Sequence, residues 1–137
     1  IHLCGKDNLD ETLTETTGYA QFEYASAELT DMFALADMAI SRAGANSICE
    51  LLALHKPNIL IPLSAAASRG DQILNAKSFA KQGFSYVLEE EQLTDKTLLS
   101  AVKEVYENRE KYKKAMSESG QMDSIGTIVN LIEEQAR

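Results

Sequence analysis

Apolar positions along this chain recur with two alternating periods, one close to two residues and one close to three and a half. Residues 1–5 read as a short strand closed by Gly5, and the polar stretch over 8–17 reads as loop or helix. Residues 19–24 alternate, with Ala20, Phe22 and Tyr24 on one face and Gln21 and Glu23 on the other. Leu29, Met32, Phe33 and Ala36 predict a short helix over 28–36. A brief apolar run over 37–41 stops at Arg42-Ala43-Gly44. Ile48, Leu51 and Leu52 then predict a helix over 46–56, which Pro57 should end because proline supplies no N–H and clashes with the preceding turn.

The run NILIPL, residues 58–63, is continuously apolar, as expected of a strand buried on both faces. A loop over 64–70 leads to a helix over 71–82 that Gly83 stops, and 84–88 is another strand. Thr94 or Asp95 should cap a long helix with Leu98, Val102, Val105, Tyr106 and Tyr112 along its stripe. Ile125, Ile128, Val129 and Ile132 predict a last helix. Strands alternating with helices, one of them buried on both faces, describe an α/β domain: a Rossmann-like parallel sheet with flanking helices.

Composition narrows the function. The chain has 137 residues, room for one domain, and its Lys+Arg 13 against Asp+Glu 21 gives a net charge of −8. That balance excludes the basic stripe nucleic acid would need, and broad adhesion to anionic lipid with it. Cys4 and Cys49 stand far apart with no C-x-x-C, so neither a disulfide framework nor a zinc site is indicated. No signal peptide opens the chain, and no apolar run reaches the length of a membrane span. Because the chain starts at Ile1 within a strand pattern, it is expected to be a fragment of something larger, with part of any active site elsewhere.

Ligands of open α/β sheets bind beyond the carboxyl ends of the strands, where loops enter helix N-termini. Two such places carry unusual residues. In SRAGANSICE, residues 41–50, a strand meets a small-residue turn and then a helix whose unpaired N–H groups suit a phosphate, with Gly44 allowing close backbone approach. It is neither a Walker loop nor G-x-G-x-x-G, so diphosphate binding without a metal cage fits and ATP hydrolysis does not. Glu50 has two readings: with Ser47 it spells a capping box, and as a carboxylate one turn into the helix it suits a ribose diol. Arg42 reads either as a phosphate ligand or as a surface residue. In SAAASRGDQILN, residues 64–75, Asp71 fits an N-cap and Gln72 a solvated position, whereas together with Asn75 they would suit sugar hydroxyls. His55 belongs at a helix C-terminus in a structural role, Glu89-Glu90-Glu91 reads as a solvated strand exit, and residues 103–114 as a mixed-charge helix face. Hydrolase and metal motifs do not occur, so hydrolase and metal chemistry have no footing and no metal or cofactor is assigned.

ALADMAISRAGANSICELLALHKPNILIPL followed by SRGDQILNA resembles the carboxy-terminal half of the MurG family, the undecaprenyl-diphospho-muramoylpentapeptide N-acetylglucosaminyltransferases that make lipid II. The similarity runs from IHLCGK to the final helix. It implies the donor half of a GT-B glycosyltransferase that binds UDP-N-acetylglucosamine. Gly44, Ala45, Asn46 and Ser47 would line the diphosphate, Glu50 would hold the ribose, Asp71 and Gln72 the sugar with Asn75 nearby, and Tyr24, Ala25 and Ser26 would lie by the uracil. The family's first donor-domain strand and its glycine-serine loop precede this chain. Its acceptor domain, which takes lipid I, carries the proposed base and faces the membrane, is also outside it. The resemblance therefore implies an inverting transferase, peripheral at the cytoplasmic face of the bacterial membrane, with this chain inactive by itself. Two alternatives stand beside it: the donor domain of another transferase, such as a diacylglycerol glucosyltransferase, and a stand-alone nucleotide-sugar-binding subunit that docks a partner through its last helix.

Overall fold

A computed structural model describes residues 1–67, 69–120, 129 and 132–134. The chain divides into two compact units, Ile1–Ala36 and Asp37–Arg137.

In the first unit β1 (His2–Leu3) pairs in parallel with β2 (Gln21–Phe22), and helix α1 (Leu29–Leu35) follows. Both strands are shorter than the apolar patterns over 1–5 and 19–24 predict. The 8–17 segment is loop around one 3-10 turn, Glu11–Leu13, capped by the Asp10 carboxylate, which accepts from the Thr12 amide. The alternation along β2 exists, yet its apolar face is the exposed one: Phe22 is 42% and Tyr24 70% accessible. The polar face turns inward because the preceding loop holds it. Asp7 donates its amide to Glu23 at 2.6 Å, and Gln21 exchanges two hydrogen bonds with the backbone of Asp10. His2 finds a partner that its sequence neighbourhood does not suggest, the Tyr19 hydroxyl at 2.7 Å.

The second unit holds the core. Strands β3 (Ala39–Ser41), β4 (Asn58–Leu60) and β5 (Tyr86–Val87) form a parallel sheet with β4 central. Helices α2 (Ala45–Ala53) and α3 (Asp71–Lys81) connect them. The Rossmann-like α/β expectation therefore holds for the described residues. Ile59 and Leu60 of β4 are fully buried, as a central parallel strand with covered faces requires. Ile48, Leu51 and Leu52 from α2 and Ala76 and Phe79 from α3 join them, with Phe79 edge-on to Phe84 at 5.6 Å between centroids.

Helix ends explain two departures. Pro57 is not what stops α2: the helix closes at Leu54, and His55 turns left-handed (φ +47). The His55 amide donates to Leu52 O and the Lys56 amide to Leu51 O, the paired 5→2 and 6→1 bonds of a helix C-terminus. Gly83 closes α3 in the same way, with its own amide on Ala80 O and that of Phe84 on Phe79 O. The long helix expected after Thr94 is two helices, α4 (Asp95–Glu107) and α5 (Arg109–Ser117), broken at Asn108, whose side-chain amide bonds back to Glu104 O. That break lets Val105, Tyr112 and Met116 all reach the core while Tyr106 stays exposed under the Arg109 guanidinium. Thr94 is the cap, through a reciprocal box with Thr97. Of the expected last helix, Val129 and Ile132 are helical and exposed, and Ile125 and Ile128 lie outside the described residues.

Candidate functional site

The carboxyl ends of β3, β4 and β5 are the edge at which chemistry was expected, and side chains tie them together there. β3 ends at Ser41, and Arg42-Ala43-Gly44 turns the chain into α2, with Ala43 fully buried and Gly44 as the N-cap. No side chain caps this helix. Among the described residues the amides of Ala45, Asn46 and Ser47 thus have no partner at the positive end of the helix dipole, since the first intrahelical bond is Ile48 N to Gly44 O. A Cβ placed on Gly44, whose φ is an ordinary −68°, would meet nothing within 4 Å among the described residues beyond its chain neighbours, so there is room beside Gly44 at this helix start.

The capping box Ser47-x-x-Glu50 is overturned by this start. With Gly44 as N-cap, Ser47 is the third helical residue and Glu50 the sixth, too far into the helix to bond back to its first amides. Glu50 is exposed, and its carboxylate makes no hydrogen bond or ion pair among the described residues. Asp71 is likewise not the N-cap of α3: Gly70, left-handed at φ +85, takes that position and leaves Asp71 exposed in the first turn.

Gln72 and Asn75 are not simply solvated. Gln72 accepts from the Leu63 amide at 3.1 Å, and Asn75 donates its side-chain amide to Ala43 O at 3.1 Å. Each keeps its other polar atom, the Gln72 amide nitrogen and the Asn75 oxygen, for another partner. Asn75 thereby fixes the turn that precedes Gly44, and α3 is braced against the start of α2. Of the twelve residues singled out, Tyr24, Ala25 and Ser26 lie in the first unit, ahead of α1, where the Ser26 amide donates to Glu28. The other nine lie in the second unit, around the entries to α2 and α3.

Arg42 has a role that neither expectation describes. Its guanidinium pairs with Glu90 at 2.8 Å and donates to Ile61 O at 3.2 Å. Glu90, expected to be a solvated strand exit, uses its other oxygen to accept from the Ser64 amide at 3.1 Å. The Ser64 amide and then the Arg42 guanidinium hold its carboxyl below the usual range. The available signal was position: a carboxylate just past one strand exit, on the edge where an arginine stands past another.

A cavity of about 230 Å³ opens beside this rim, lined by Pro62, Ser64, Ile73, Lys77, Val87 and Glu91 among others, and it includes none of those twelve residues. Among the described residues no cluster of His, Cys, Asp or Glu could hold a metal ion, and no helix is long and apolar enough to cross a membrane. Both cysteines are free thiols.

The sequence profile of the glycosyltransferase family 28 C-terminal domain matches residues 1–131. The chain is 61% identical over 134 residues to the UDP-N-acetylglucosamine--N-acetylmuramyl-(pentapeptide) pyrophosphoryl-undecaprenol N-acetylglucosamine transferase of Lachnoclostridium phytofermentans, covering 98% of this chain and 38% of that protein. Proteins of the same name from Geobacillus thermodenitrificans and Clostridium tetani are 55% and 58% identical over 100% and 98% of this chain, and 38% and 37% of their own lengths. The chain thus spans under two fifths of the relatives it matches.

Proposed function

Because the chain belongs to the glycosyltransferase family 28 C-terminal domain family, we propose that it is the donor-binding part of a UDP-N-acetylglucosamine-dependent transferase that converts lipid I to lipid II. Its 1–137 span acts as a nucleotide-sugar-binding domain, and the acceptor is taken by residues of the longer protein, at the cytoplasmic face of the membrane. The observation that carries this reading is the start of α2: three amides without a partner among the described residues and room beside Gly44, with the free Glu50 carboxylate one turn further on.

Chemically, such a start suits a leaving diphosphate. The acceptor hydroxyl attacks the anomeric carbon as its proton passes to a base outside this chain, the bond to the diphosphate oxygen breaks with inversion, and the charge on the departing UDP is met by the amides of Ala45, Asn46 and Ser47. Glu50 accepts hydrogen bonds from the ribose diol. Asp71 and the unengaged amide of Gln72 take sugar hydroxyls, with Asn75 Oδ1 beside them. Arg42, its guanidinium paired with Glu90, stands at the same turn beside the diphosphate, and Ala25 and Ser26 serve the base. No residue of this chain is assigned as the catalytic base.

The test is calorimetric titration with UDP-N-acetylglucosamine, UDP-glucose and UDP. Glu50→Ala should weaken nucleotide binding at least tenfold, about 1.4 kcal/mol or more, at unchanged melting temperature. Gly44→Ala adds a methyl only to open space and changes the cap by about 0.5 kcal/mol, yet it should also lower affinity because the methyl enters the diphosphate's place. Preference for UDP-N-acetylglucosamine over UDP-glucose supports the lipid II acceptor, and equal binding favours another acceptor class. A folded wild-type chain that binds none of the three would refute the assignment.

A further inference from the structure

Resting on that donor-site reading, we propose that Glu90, a residue outside the ligand-facing set, is a positioning residue that holds the diphosphate side and the sugar side of the site in register. Its two carboxylate oxygens serve different strand exits. Oε1 pairs with Arg42, which immediately precedes the Ala43-Gly44 turn into α2. Oε2 accepts from the Ser64 amide, adjacent to Leu63, whose own amide is held by Gln72. Glu90 itself sits in the 3-10 turn Glu90–Gln92 that follows β5. One side chain therefore joins the exits of all three strands of this sheet, and Arg42 adds a bond to Ile61 O on the same edge.

The contacts are directional. A carboxylate shared between a guanidinium and a backbone amide forms two charge-assisted bonds, and a glutamine in its place keeps one carbonyl oxygen whose two lone pairs can accept from both partners while losing the charge. The pair is partly exposed, so its contribution to global stability is small; what it fixes is the relative position of two loops. The depressed carboxyl titration agrees with a charge that its partners hold in place. None of this depends on Glu90 touching the donor.

The measurement is the Kd for UDP-N-acetylglucosamine of the wild-type chain, Glu90→Ala, Glu90→Gln, Arg42→Ala and the Arg42→Ala/Glu90→Ala double variant, beside melting curves and hydrogen exchange at the Ser64 amide. The expected result is about a tenfold loss for Glu90→Ala, recovery to within about threefold in Glu90→Gln, faster Ser64 exchange in Glu90→Ala, and melting within a degree or two of wild type. Glu90→Ala should cost less in the Arg42→Ala background than alone, because part of its action runs through Arg42. Wild-type affinity in Glu90→Ala would overturn the proposal. So would a loss that Glu90→Gln does not recover, or one that tracks a lowered melting temperature. Absence of donor binding by the wild-type chain would instead overturn the reading beneath it, and Ser64 exchange, which needs no donor, would still report whether Glu90 holds that loop.

Discussion

His55 shows how much a single backbone angle carries. It closes α2 at φ +47, the place where Gly83 closes α3 at φ +77, with the same pair of terminal hydrogen bonds. For a residue with a Cβ the left-handed conformation costs about 1–2 kcal/mol. The looser unfolded chain of a glycine gives back about 0.4–1 kcal/mol of that. The His55 ring also buries Nε2 with no partner among the described residues. His55→Gly should therefore stabilise the chain by about 0.5–1 kcal/mol, a rise of roughly 2–4 °C in the melting temperature. A fall would mean that packing of the imidazole outweighs the backbone strain. Legibility at this scale follows the same physics. Gly83 announced its turn because glycine is the residue that enters left-handed space freely, whereas a histidine there gives no compositional sign. The Ser47 and Glu50 pair misled for a related reason: the capping box matches a spacing, and a glycine N-cap three residues earlier leaves that spacing intact while removing its function.

Elements were legible in proportion to their burial. β4 is covered on both faces and its unbroken apolar run was unambiguous, as was α3 between Asp71 and its glycine stop. β2 was legible only as an alternation, because which face turns inward is decided by loop amides bonding Gln21 and Glu23, and no periodicity encodes that. The α4–α5 pair reads in sequence as one helix because apolar spacing continues through Asn108. Within that pair the Tyr112 hydroxyl donates to the Glu104 carboxylate at 3.0 Å. Burial, then this bond to an acidic partner, raises the Tyr112 phenol well above its ordinary value. The sign follows directly. Above about pH 10 the unfolded phenol ionises while the folded one keeps its proton, so the stability this group contributes is full below that pH and is lost as pH climbs toward the folded value. Tyr112→Phe should cost about 1 kcal/mol at neutral pH through the lost hydrogen bond. Its deficit relative to wild type should shrink above about pH 10 in chemical denaturation. A deficit that stays constant from neutral to alkaline pH would show that this phenol is not the proton involved.

At the scale of the whole molecule, burial is distributed unevenly. Every core residue from Ala43 to Met116 belongs to the second unit, and in Ile1–Ala36 no residue is buried. Composition and apolar pattern give no hint of this, since Phe22 and Tyr24 share an apolar face in sequence and are exposed in the structure. The consequence is a difference in local stability that hydrogen exchange can read. The Ile61 and Leu88 amides, bonded across the sheet to Ser41 O and Leu60 O, need the second unit's core to open before they exchange. The His2 and Cys4 amides, bonded to Ala20 O and Phe22 O, stand over no buried side chain and should exchange orders of magnitude faster through local opening. Leu60→Ala then separates the two. Leu60 is fully buried, and truncating it should cost about 2–4 kcal/mol. That cost corresponds to roughly 30- to 1000-fold faster exchange at Ile61 and Leu88. His2 and Cys4 should be unaffected. Equal acceleration at all four amides would mean that 1–137 opens as one cooperative domain.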